Sequence, residues 1–265
     1  MKVGFPKSLK TGEKFAFKTT ASAVYADDSR SVQDYLNTLQ KYTSSDIGTL
    51  KVGVIGDSIL TGHNPTGGTP ITTYVNLLAD RFGTVINYAM SDTFLAETTA
   101  GTTTKPEPIV NRYATMSNDL DIVIIHACSN DWYFNTPIGV AGDTEKTTYY
   151  GAVENLINGL TTKYVNKEIF FVTSLPRYSV LGDGTVYTAE SLNLSGHTLV
   201  DYNNVIKELC ARHTIPVIDI YSECGMDIVN SQAQREYYTV NGLHLSNQGH
   251  ERCFRRIFNA IMSKI

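Results

Sequence analysis

The chain has 265 residues, 42% of them hydrophobic and 18% charged, and its 22 Lys+Arg against 26 Asp+Glu leave a formal net charge of −4. That balance excludes a basic nucleic-acid surface as the main feature, and the apolar content excludes a chain disordered throughout. One catalytic-size domain with a short appendage fits the length. No run approaches the roughly 18 apolar residues that a membrane helix needs. Residues 1–18 alternate charged and apolar positions instead of forming a signal-peptide core, so the expectation is a protein without a signal peptide and without a membrane partner.

Residues 15–26 are rich in Thr, Ala and aromatic side chains, and Ser31-Val32-Gln33-Asp34 then offers a Ser N-cap with an acid three residues on. Val32, Tyr35, Leu36 and Leu39 fall on one face of the short helix this starts. A helix of about ten residues is marginal alone in water. It is expected to pack on the main domain or on copies of itself, which would allow a homotrimer. Residues 1–46 are therefore read as an arm for attachment or oligomerisation, and residues 47–265 as the main domain.

From Leu50 onward apolar runs alternate with helical patterns, the signature of a parallel sheet covered on both faces. Strands are predicted at 51–55, 84–88, 121–127, 167–173 and 215–219. The first helix is expected to begin at Thr69-Pro70, to bury Ile71, Tyr74, Val75 and Leu78, and to end with Gly83 as C′ residue. Further helices are expected at 149–164, at 198–213 and from Ser246, the last with Phe254, Ile257, Phe258 and Ile261 on one side. The fold class is α/β: a three-layer α/β/α domain with a five-stranded parallel sheet, plus the short N-terminal strand and helix. Two long polar segments, 91–108 and 177–197, interrupt this order, and loops of such length are usually functional.

Cys128, Cys210, Cys224 and Cys253 have no C-x-x-C spacing and read as free thiols, with no zinc site or disulfide scaffold. No H-E-x-x-H, G-x-G-x-x-G or phosphate-loop pattern occurs, so neither a metal nor any other cofactor is expected. His63 and His250 read as structural or exposed residues.

In an open α/β sheet ligands bind beyond the carboxyl ends of the strands. Four groups of residues fall there or just before the last helix: Gly56-Asp57-Ser58, Asn87-Tyr88-Ala89-Met90-Ser91, Cys128-Ser129-Asn130-Asp131, and Asn241-Gly242-Leu243-His244-Leu245. A serine hydroxyl needs a base to become nucleophilic, and a tetrahedral intermediate needs fixed donors where charge develops. Ser58, His244 and Asn130 supply these parts.

The ordered set Gly56-Asp57-Ser58, Asn130-Asp131 and His244-Leu245 resembles the SGNH (GDSL-type) hydrolases over roughly residues 50–265. The resemblance implies a flavodoxin-like fold and an esterase with Ser58 as nucleophile, His244 as base and Asn241 at the orienter's place. It also implies an oxyanion hole made by the N–H groups of Ser58 and Ala89 and the side chain of Asn130. Asp57, Asp131 and Trp132 flank the site as candidate substrate contacts; the alternative for Trp132 is a loop that folds its rings onto the core. Three residues depart from the family pattern: Ala89 and Cys128 stand for Gly, and Asn241 stands for the Asp that accepts the His Nδ1–H.

Residues 19–36 resemble the short strand-then-helix elements of phage tail proteins, which would make the protein virion-associated instead of cytoplasmic. The expected substrate is a small or glycan ester, with acetyl as the acyl group. The rival reading is a glycan-binding or structural module whose catalytic site has weakened.

Overall fold

The computed structural model describes residues 47–97, 106–127 and 129–265. The chain divides between Gly48 and Thr49 into two compact units, and the second, Thr49–Ile265, carries the sheet and its covering helices. The expected strand, helix and phage-like segment before residue 47 lie outside the described residues.

Five strands, β1 (Lys51–Ile55), β2 (Thr84–Asn87), β3 (Ile122–His126), β4 (Glu168–Val172) and, after a two-stranded hairpin, β7 (Val217–Ile218), form one sheet in the order β2-β1-β3-β4-β7. All its pairings are parallel, with Val52 opposite Ile122 and Ile125 opposite Phe171. The central strands are apolar runs because both faces are covered: all five residues of β3 are buried.

Alternate residues face different helices. Ile55, Val123, Ile125 and Phe171 join the core formed with α4 (Tyr149–Lys163) and α5 (Leu199–Arg212). Tyr149 and Tyr202 meet edge to face there, at 4.9 Å between ring centroids. On the other face α1 (Tyr74–Ala79) packs against the C-terminal helix α8 (Asn247–Met262), and the Tyr74 hydroxyl reaches His126 Nδ1 at 2.9 Å. Between these lie the short helices α2 (Ile109–Arg112), α3 (Asn130–Tyr133), α6 (Ile220–Glu223) and α7 (Gln232–Tyr238).

The first helix departs from expectation at both ends. It is capped by Thr73, whose hydroxyl accepts from Asn76 N–H while Asn76 reaches back to Thr73 N–H, and it stops at Asp80. That reciprocal cap outcompetes the Pro70 start, and Gly83 lies beyond the helix. The long polar segment 177–197 is not a plain loop: β5 (Tyr178–Val180) and β6 (Val186–Thr188) form an antiparallel hairpin within it. The described thiols Cys210, Cys224 and Cys253 are free and buried.

Candidate active site

Strand order reverses at β1, since β2 follows on one side of it and β3 on the other. The crevice at the carboxyl ends of β1 and β3 is thus where a ligand is expected. Ser58 opens a short 3-10 turn just beyond β1, and Asn130 opens α3 just beyond β3. His244 comes from the loop before α8. Together with His63, Ser91, Asp92, Tyr133, Phe134, Arg177 and Leu243 they line one pocket of about 390 Å³.

Ser58 Oγ stands 3.0 Å from His244 Nε2. On the other side of the ring, His244 Nδ1 is 3.2 Å from Asn241 Nδ2. The amide is fixed in that sense because its Oδ1 accepts from Leu243 N–H at 3.2 Å and His244 N–H at 2.8 Å. Turned over, the NH₂ would face two donors. Asn241 therefore donates to Nδ1, which leaves the imidazole proton on Nε2, pointing at Ser58. A general base needs the other tautomer.

Burial, with His63 and Arg177 nearby, pushes the His244 imidazole down to about 4, against the opposing charge of Asp92. The ring is neutral at ordinary pH. The turn that carries it needs Gly242, whose φ is +80° and whose added Cβ would lie 2.2 Å from Tyr178 O. The Gly242 N–H donates to Thr239 Oγ1 at 2.8 Å.

Asn130 Nδ2 donates to Thr93 O at 2.8 Å, which spends one amide hydrogen and fixes the side chain at the pocket wall. The Ala89 N–H is taken up locally: it donates to Asn87 Oδ1 at 3.0 Å, in a side-chain-closed turn, and Ala89 does not line the pocket. Ser91 and Asp92 reach the pocket from that loop instead. Asp92 holds φ +61°, the left-handed region that favours glycine.

The three expected substrate contacts are buried supports. Asp57 is 2% exposed; its Oδ1 accepts from Ile59 N–H at 3.0 Å, capping the Ser58 turn, and burial pushes its carboxyl up to about 6. The carboxylate oxygens of Asp131 accept from Leu95 N–H at 2.8 Å and Ala96 N–H at 3.0 Å, so this side chain ties the loop after β2 to α3. Burial drives its carboxyl up to about 7, against those donors. Trp132 is wholly buried, donates Nε1–H to His197 O at 3.0 Å and stacks on Tyr187 at 4.8 Å. Its rings fold onto the core.

His250 is buried and accepts from Tyr74 N–H at 3.2 Å, while His63 is exposed on the pocket rim, 6.1 Å from the His244 ring. Sequence reading missed Arg177. Its signal was position: it follows the carboxyl end of β4, at the start of the polar segment. The described residues hold no His/Cys/Asp/Glu cluster able to bind a metal, and no described helix is long and apolar enough to cross a membrane.

Residues 54–252 match the GDSL-like lipase/acylhydrolase family. The chain belongs to that family, and with it to the hydrolases that act on esters. Among solved structures it is similar to a protein from Lactobacillus plantarum, at 25% identity and TM-score 0.69, over 82% of this chain and 98% of that one. A lipase/acylhydrolase from Enterococcus faecalis, at 20% identity and TM-score 0.55 over 82% and 97% of the two chains, shares the fold. A possible lipase from Chitinophaga pinensis does so at 17% identity and TM-score 0.60, over 81% and 98%. No curated protein matches the chain.

Proposed function

We propose that the chain is a serine esterase that removes small acyl groups, acetyl first among them, from a carbohydrate or other small alcohol. The observation that carries this reading is the 3.0 Å contact between Ser58 Oγ and His244 Nε2 at the mouth of the crevice. Ser58 Oγ attacks the ester carbonyl carbon as its proton passes to His244, and the carbonyl π electrons move onto oxygen. The N–H of Ser58 and the second amide hydrogen of Asn130 receive that oxyanion. Collapse expels the alcohol, which takes the proton from His244, and water then repeats the cycle to release the acid. A pocket of about 390 Å³ suits a small acyl group better than a long chain. The rings of Tyr133 and Phe134 offer flat faces to a sugar or aryl alcohol.

A second reading has its own observation. The Asn241 amide holds His244 in the tautomer that cannot take the serine proton, which favours a weakened enzyme used for binding glycans. Acetate release from 4-nitrophenyl acetate and from acetylated polysaccharides separates the two. Turnover by the native chain that disappears in Ser58→Ala supports the esterase. Equal background rates in both chains sink it and leave the binding module.

A further inference from the structure

The pocket holds one buried cation that the steps above do not use. Arg177 is only 4% exposed, yet it lines the same pocket as Ser58, Asn130 and His244. Its one hydrogen bond is long, from Nη1 to Ser129 Oγ at 3.4 Å, and its buried Nε has no acceptor. It takes part in none of the ion pairs among the described residues. The guanidinium lies over the Tyr133 ring at 4.5 Å from its centroid, and 5.5 Å from that of Trp132.

A buried cation is normally paired, because its lost hydration is otherwise uncompensated. The acids near it do not serve. Asp57 attracts the guanidinium but forms no ion pair with it, its Oδ1 being committed to the Ile59 N–H, and Asp92 forms no ion pair with it either. A ring face recovers part of the loss but leaves the in-plane N–H groups unused. Among the described residues no carboxylate forms an ion pair with this fork, and the cation lines the pocket that holds Ser58.

We propose that Arg177 is the residue that recognises an anion, and that the ester cleaved here carries a carboxylate on its alcohol part. A guanidinium presents parallel N–H donors that fit a carboxylate, so it would fix orientation as well as charge. This rests on the reading of Ser58 as the ester-cleaving residue. It adds what that reading leaves open, the nature of the alcohol.

The test uses the full chain with Ser58→Ala, so that nothing is turned over, titrated calorimetrically with 3-acetoxybenzoate and with its neutral methyl ester. The anion is expected to bind at least about tenfold more tightly than the methyl ester. The preference should vanish in Ser58→Ala/Arg177→Gln and shrink in Ser58→Ala/Arg177→Lys, which keeps the charge and loses the fork. Equal affinities, a preference for the neutral ester, or a preference undiminished by either substitution would overturn the assignment. If the Gln chain does not fold, the parent and the Lys chain still decide. An Arg177 that merely kept His244 neutral would shift the pH profile of 4-nitrophenyl acetate hydrolysis and leave the binding preference intact. Binding is read without turnover, so a chain that prefers the anion but hydrolyses no ester refutes the esterase alone. One that hydrolyses 4-nitrophenyl acetate without the preference refutes only the anion site.

Discussion

Replacing Asn241 by Asp exchanges one NH₂ for an oxygen in the turn that carries His244. The carboxylate keeps an acceptor for the N–H groups of Leu243 and His244, which now lie 3.2 and 2.8 Å from the amide oxygen. It also gives His244 Nδ1 an acceptor where it now meets a donor at 3.2 Å. In the native chain the productive tautomer requires either a donor facing a donor or an overturned amide with two hydrogen bonds lost. At about 0.5–1.5 kcal/mol per hydrogen bond the two bonds are worth about 1–3 kcal/mol, and with part recovered by water at this exposed residue the penalty is about 1–2 kcal/mol. At 1.36 kcal/mol per tenfold in rate, that is about 5–30-fold in kcat. The reverse exchange in a serine protease is worth about 10⁴-fold in a drier site, which sets the upper bound. We expect Asn241→Asp to raise kcat on 4-nitrophenyl acetate about tenfold, with little change in KM. An unchanged or lower kcat in a chain that still melts cooperatively would refute the claim that the amide sets the imidazole tautomer.

Three further outcomes are expected from the site and its supports. Asn130→Ala, which removes a candidate oxyanion donor, should lower kcat about 10²–10³-fold, and a change confined to KM would contradict the role. Only neutral His244 can take the serine proton, and its imidazole is held down to about 4. The rate should therefore stay level from mildly acidic to neutral pH and fall only as pH drops through that value. In Asn241→Asp the inflection should move upward, because a carboxylate favours the imidazolium; a native inflection at the ordinary His value of 6.5 would contradict the burial argument. Trp132→Ala should destabilise the chain by about 3–5 kcal/mol in urea unfolding, since the ring is a wholly buried core piece. A stable variant with lost activity would restore Trp132 as a substrate contact.

The central strands were legible in the sequence because a parallel strand covered on both faces is a plain apolar run, as in Ile122–His126. So were the helices opened by Thr198 and Ser246, whose side chains accept from the backbone of the first turn. The β5–β6 hairpin was not legible: its strands have three residues each and no buried face, so nothing in their pattern competes with a loop. Helix α7 buries no residue and gives no stripe. At the site, Ser58, Asn130 and His244 could be found because each follows or precedes a recognisable element. That the Asn87 side chain takes up the Ala89 N–H was not legible, because such a local turn leaves no pattern in the sequence. Asp57 and Asp131 were misread because a carboxylate beside a nucleophile looks chemical in a sequence, whereas their partners are backbone N–H groups up to 36 positions away. Arg177 has no motif around it; only the folded crevice shows it lining the same pocket as Ser58.

Asn241 is followed by Gly242, the pairing in which an asparagine most readily loses ammonia through attack by the next residue's backbone nitrogen on the side-chain carbonyl. Here that nitrogen's N–H is held by the Thr239 hydroxyl at 2.8 Å, and the side chain whose carbonyl carbon it would attack is fixed in the turn by the two N–H groups its oxygen accepts from. The turn thereby preserves its own amide against chemical ageing. Thr239→Val releases the nucleophile, and the tryptic peptide ending at Arg252 should then gain the mass of deamidation during storage, faster than in the native chain; equal rates would show that the hydroxyl gives no protection. Every molecule that opens to the ordinary aspartate would carry the carboxylate that the base now lacks, so a preparation of that variant would grow more active with time.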